Sequence, residues 1–146
     1  MFGTMTRNPA SAYATIGLET SISSASPHRL ISMLYDGALT ALSRAVVQMK
    51  AGDIAAKGKS LSQAIAIIDT GLRASLDKKG GAGIAESLDS LYEYMSNRLL
   101  TANLSNRYDY IEEVHQLLNE LKGAWEQIAP QARSTGGSDA TNLSGV

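Results

Sequence analysis

The sequence predicts an all-α protein: an antiparallel up-down four-helix bundle, with a short N-terminal segment packed on it and a disordered C-terminal tail. Three observations predict this. Apolar residues recur at spacings of three and four in four stretches of about 20 residues. Polar, glycine- or asparagine-bearing breaks separate those stretches, and no segment sustains period-two alternation with β-branched residues. Four such helices joined by short loops pack most simply up-down-up-down. The implied division is residues 1–25 as a partly ordered lid, 26–130 as the bundle and 131–146 as a disordered tail.

The first helix opens with Ser26 as N-cap and Pro27 at the first helical position, where its missing N–H costs nothing. Its stripe is Ile31, Leu34, Ala38, Leu42, Ala45 and Met49, and Lys50-Ala51-Gly52 supplies a basic last turn and a glycine stop. The second stripe runs through Ile54, Gly58, Leu61, Ile65, Ile68, Leu72 and Leu76 until DKKGGAG interrupts it. Ile84, Leu88, Leu91, Met95, Leu99 and Ala102 form the third, closing at NLSNR. The fourth is the most regular: Ile111, Val114, Leu118, Leu121, Trp125 and Ile128, ended by Pro130. After Pro130, QARSTGGSDATNLSGV is small and polar, too poor in apolar groups to order itself. Residues 1–25 hold Tyr13, Ile16, Leu18 and Ile22, too few for a fifth full helix and too apolar for a free tail.

Composition narrows the function. The 146 residues carry 13 basic and 14 acidic side chains, a net charge of −1, which provides no electrostatic footprint for nucleic acid and no polybasic patch for anionic lipid. The absence of cysteine excludes a disulfide framework, a thiolate metal site and a cysteine nucleophile. MFGTMTRNPASAY lacks the basic and apolar regions of a secretory signal, and no continuous apolar run approaches the roughly 18 residues of a membrane span. The expectation is a soluble cytoplasmic protein with no membrane insertion.

Catalysis finds little support. Glu112 and His115 have the Glu-x-x-His spacing of di-iron bundles, but those need the unit twice, and the residue three before His28, the other histidine, is Ala25. Leu121-Lys122-Gly123 is like the run that follows the histidine of phosphotransfer bundles, yet Asn119 stands where that histidine belongs. No Ser/His/Asp arrangement or phosphate-cradling loop occurs. The reading is no enzyme, no metal and no cofactor.

The helices instead carry more apolar surface than a simple bundle buries. Leu30 and Leu39 widen the first stripe, Met33 and Val47 lie almost opposite it, and Ile67 and Leu100 stand far from their own stripes. Such residues fit grooves that receive an amphipathic partner helix. Gly37, mid-helix at a cost of about 1 kcal/mol relative to alanine, points to a close approach.

SASPHRLISMLYDGA resembles the start of the first helix in the FliS family, the flagellin-specific export chaperones of bacteria. KGKSLSQAIAIIDTGLRASLD, GIAESLDSLYEYMSNRLLTANL and IEEVHQLLNELKGAWEQI are similar to its remaining helices in order, and AYATIGLET to its N-terminal segment. Gly83, Ser87, Arg107 and Ala10 depart from residues common in the family. The resemblance implies a cytoplasmic chaperone that binds the C-terminal region of flagellin, prevents premature polymerisation and delivers it to the flagellar type III export gate. It also implies that the segment bearing Tyr13 and Ile16 lies on the bundle and overlaps the flagellin surface. The remaining candidate contacts are Leu30, Met33, Leu34, Tyr35, Ile67, Tyr92 and Leu100; Tyr35 and Tyr92 read equally well as core residues with satisfied hydroxyls. The alternative is a helical adaptor or chaperone for another secretion substrate, and a weak homodimer stays open.

Overall fold

The computed structural model describes residues 25–77, 79 and 83–128. Their helices are α1 (Pro27–Lys50), α2 (Ile54–Ala66), continued by a π-helical segment (Ile67–Arg73), α3 (Ile84–Ser105) and α4 (Tyr108–Gln127). No strand occurs among the described residues. The chain separates into compact units 1–30 and 31–146. Of the first, the described part is the cap and opening turn of α1, where Ser26 Oγ accepts from the Arg29 amide at 3.1 Å. The expected lid (1–25) and tail (131–146) lie outside the described residues, apart from Ala25.

Local chemistry sets the boundaries. Gly52 turns the chain at φ 75°, and Asp53 then caps α2 by accepting from the Ala56 amide at 3.1 Å. Asn106, at φ 55°, closes α3 in the left-handed region, and the Arg107 amide returns to the Ala102 carbonyl at 3.0 Å. Arg107 then forks onto Asp109 in the first turn of α4, at 2.9 and 2.7 Å. Gly83, at φ 88°, precedes α3.

Cross-helix bonds give the topology within the bundle. Asp36 pairs with Lys122 at 2.6 Å and Ser43 meets His115 at 3.3 Å, so α1 and α4 run antiparallel. Lys57 reaches the Asn103 carbonyl, Ser96 the Asp69 carboxylate and Arg73 the Asp89 carboxylate, so α2 and α3 do too. Across the diagonal, α1 and α3 are joined by the Tyr35 and Tyr92 hydroxyls at 2.7 Å. Leu42, Leu61, Ile68, Met95, Leu99, Ile111, Val114 and Leu118 fill the remaining core.

By length and composition alone α1 could cross a membrane, with a mean hydropathy of 1.3 over 18 residues. Polar residues interrupt the window, so it holds no continuous apolar run of that length. The composition equally suits a core helix that touches all three neighbours, and α1 contributes Tyr35, Ala38, Leu39, Ala41, Leu42, Ala45 and Met49 to the core.

Two expectations are corrected in detail. Helix two does not remain α-helical to Leu76: the π segment replaces its second half, with Ile68 and Leu72 still buried. Ile54 and Ile84, placed on the core stripes, are about two-thirds exposed (66% and 65%), because the inward face of α2 runs through Lys57, Ser60, Leu61 and Ala64 and that of α3 through Ala85, Tyr92, Met95 and Ser96.

Candidate functional site

Two outer seams collect the expected binding residues, and the core takes two of them. On the seam between α1 and the π segment, Leu34 and Ile67 are half-buried, and Met33 on α1 is half-buried as well. Glycines make this contact possible. A Cβ on Gly71 would stand 3.0 Å from a Leu34 methyl, and one on Gly37 would stand 3.3 Å from Ile67 Cδ1. Leu34 and Ile67 thus spend much of their surface inside the protein, and Ile67, expected on an outer face, packs against the core. Leu30, in the opening turn of α1, is half-buried. Tyr13 and Ile16 lie outside the described residues.

Tyr35 and Tyr92 are interior, 4% and 2% exposed. Of the two readings left open by the sequence, the core tyrosine with a satisfied hydroxyl is the one observed. Burial pushes both hydroxyls above the usual tyrosine range, Tyr92 strongly, so both stay neutral donors and acceptors. Neither offers a partner a surface.

The second seam, between α2 and α3, is closed by polar staples. Lys57 is 4% exposed and donates to the Asn103 carbonyl at 2.7 Å. That carbonyl belongs to the last turn of α3, where unsatisfied C=O groups gather and positive charge is favoured. Asp69 accepts from Ser96 Oγ at 2.8 Å, and Asp89 from Arg73 at 2.9 and 3.3 Å. Outside the staples lie Leu100, half exposed, and Gly58, where an added Cβ would meet nothing within 4 Å. This mid-helix glycine has no internal packing role.

The other seams are polar. Between α1 and α4, Ser43, Val46, Glu112 and His115 line a shallow cavity of about 270 Å³. No group of three metal-binding side chains surrounds it or any other point among the described residues. Between α3 and α4, Glu113 accepts from Tyr94 at 2.5 Å and from Arg98 at 2.7 Å, and these bonds hold its carboxyl below the usual range. Arg98 and Arg107 stack on Tyr110, at 3.6 and 4.3 Å from the ring centre.

The family model described as flagellar protein FliS matches residues 9–132. The chain belongs to the FliS family. It is similar to the flagellar secretion chaperone FliS of Salmonella typhimurium, 53% identical over 121 residues, which span 83% of this chain and 90% of that one. The Escherichia coli protein of the same name is 46% identical across 80% of this chain and 85% of its own length. For the Bacillus subtilis protein of that name the identity is 29% across 87% and 90%.

Sequence reasoning missed the polar staples of this FliS-family bundle. Lys57 was hidden because Gly58, its neighbour, fits the three-four spacing equally well, so the first turns of the stripe were set off the core while Leu61, Ile68 and Leu72 fell on it. The Arg73–Asp89 and Arg98–Glu113 pairs bridge residues 16 and 15 apart, and no local pattern signals such a pairing.

Proposed function

We propose that this protein is a flagellar secretion chaperone that binds the C-terminal region of flagellin in the cytosol. It prevents premature polymerisation and delivers its cargo to the flagellar type III export apparatus. The observation that carries the reading is the apolar outer surface at Leu100, Gly58 and Met33 in a chain of the FliS family. An amphipathic segment that lays its apolar face along such seams gains burial and pays for its own ordering, which keeps release within reach. The protein acts by binding alone, with neither cofactor nor nucleotide.

Met33, Leu34, Ile67 and Leu100 form the contact surface in this reading, with Leu30 beside them in sequence. Tyr35 and Tyr92 support it from within by fixing α1 against α3. Residues 1–25 act as a lid whose Tyr13 and Ile16 give way to flagellin, residues 26–130 are the binding module, and residues 131–146 are dispensable. An empty seam also permits a weak homodimer.

Co-purification with flagellin of the same species tests the reading. Full-length flagellin should be retained, and flagellin without its C-terminal segment should be lost. Leu100→Asp should weaken retention at least about tenfold, as expected when a buried apolar contact is replaced by a charge. Equal capture of both flagellins by the wild-type protein would overturn it.

A further inference from the structure

The end of the bundle that carries the α1–α2 and α3–α4 turns differs from the rest of the surface. Val47, Ile54, Leu104 and Tyr108 are all exposed there, Leu104 to 88%. Interhelical contacts gather them: the Lys50 ammonium sits 4.6 Å from the Tyr108 ring centre, and Lys57 reaches the residue before Leu104. Among the described residues these side chains stay largely open to solvent, Tyr108 beneath the Lys50 ammonium.

Charge at this end is lopsided. Residues 44–59 and 104–109 contain Arg44, Lys50, Lys57, Lys59 and Arg107 against Asp53 and Asp109. Both carboxylates are engaged, Asp53 as the cap of α2 and Asp109 in the fork of Arg107. Among the described residues Arg44, Lys50 and Lys59 make no ion pair. Beyond Asp109 the next acids on α4 are Glu112, exposed one turn past Tyr108, and Glu113, which is held by Tyr94 and Arg98. The overall balance of −1, which by itself provides no polybasic patch, therefore conceals a local excess of unpaired cations at this end.

We propose that this end is a peripheral contact surface for an anionic phospholipid bilayer, with Ile54, Leu104, Val47 and Tyr108 entering the headgroup region and Lys50, Lys59 and Arg44 facing lipid phosphates. Charge complementarity selects the occupant. Lysines flanking exposed leucine, isoleucine and tyrosine suit an interface that is apolar beneath and negative above. The contact is superficial and orienting; no helix inserts. It holds the bundle end-on, with the flanks of its helices still accessible.

Vesicle co-sedimentation tests this at low salt, with phosphatidylglycerol–phosphatidylcholine (1:1) vesicles against phosphatidylcholine alone and against soluble poly-L-glutamate. The protein should sediment with the anionic vesicles only, and 0.5 M salt should release it. Lys50→Glu with Lys59→Glu should reduce binding at least about tenfold, and Leu104→Ser should reduce it several-fold. Both variants are on exposed positions, and circular dichroism verifies their folding. Retained co-purification of the lysine variant with flagellin would separate this surface from the cargo seams. Absence of sedimentation at low salt overturns the proposal. So does binding to poly-L-glutamate without vesicle binding, which would mark the end as a site for an acidic protein, or sedimentation untouched by the lysine variant.

Discussion

Replacing the diagonal tyrosines one at a time and together should give a strongly non-additive cycle. In Tyr35→Phe the Tyr92 hydroxyl remains where it was, 2% exposed, with its partner 2.7 Å away removed. A buried polar group stripped of its bond costs about 1–3 kcal/mol, whereas replacing both partners by apolar groups of the same shape is close to neutral. Each single variant should therefore lose about 2 kcal/mol, and the double variant less than about 1 kcal/mol. For about 100 ordered residues, 2 kcal/mol corresponds to a fall in Tm of roughly 8–16 °C. Urea unfolding followed by circular dichroism at pH 7 measures all four proteins. The hydroxyls also stay neutral in the fold at a pH where an unfolded tyrosine ionises. Their folded pKa is raised, so this stability is fully present below about pH 10 and is lost as pH rises beyond it. The double phenylalanine variant should lack that alkaline loss. Additive single effects, or a double variant as unstable as their sum, would refute the picture of two hydroxyls satisfying each other.

Other outcomes follow from the seams. Gly58→Ala should stabilise the protein by up to about 1 kcal/mol, since a Cβ there meets open space, while Gly71→Ala should destabilise it by about 1–3 kcal/mol by driving a Cβ to 3.0 Å from Leu34; thermal melts distinguish the two signs. Lys57→Ala should cost about 2–3 kcal/mol and Lys57→Met about half that, because methionine keeps the stem packed but loses the bond to the Asn103 carbonyl. Glu113, held below its usual range by Tyr94 and Arg98, contributes stability above the unfolded carboxyl value of about 4.3 and loses it as pH falls through the lower folded value. Melting Glu113→Gln alongside the wild type at descending pH should therefore give a flatter acid limb for the variant.

Helix number, order and ends were legible because they depend on local chemistry. Ser26 with Pro27, Gly52 and the Asn106 turn act within a few residues of themselves, so the chain displays them directly. The core face was legible to within a third of a turn. Along α2 the residues Ile54, Gly58 and Ile65 keep helical spacing as well as Lys57, Leu61 and Ala64 do, and only the neighbouring helices decide between them. The π segment was invisible for a similar reason. Its residues, IIDTGLR, suit an ordinary helix, and its tertiary contacts, Gly71 beside Leu34 and Arg73 on Asp89, are made with residues distant in sequence. Of the candidate binding residues, Leu100 was correctly expected to be exposed, since a leucine far from any stripe has no inward side. Tyr35 could not be assigned, because only its distance to a residue 57 positions away decides whether its hydroxyl is inside or out.

The interior position of Lys57 divides the life of its amine into two periods. While the chain is being made, before α3 exists, the amine is an ordinary nucleophile open to acylating agents. Once α3 has docked, the stem is enclosed and the nitrogen faces the Asn103 carbonyl, so only a wide opening of the bundle exposes it again. An acyl group added early would block closure of that end, because the enclosed site has no room for the added atoms and the cation that meets the helix terminus would be gone. The extent of Lys57 labelling in a pulse therefore records how long each molecule has waited to fold, and Lys50 and Lys59, always accessible, provide the clock against which to read it.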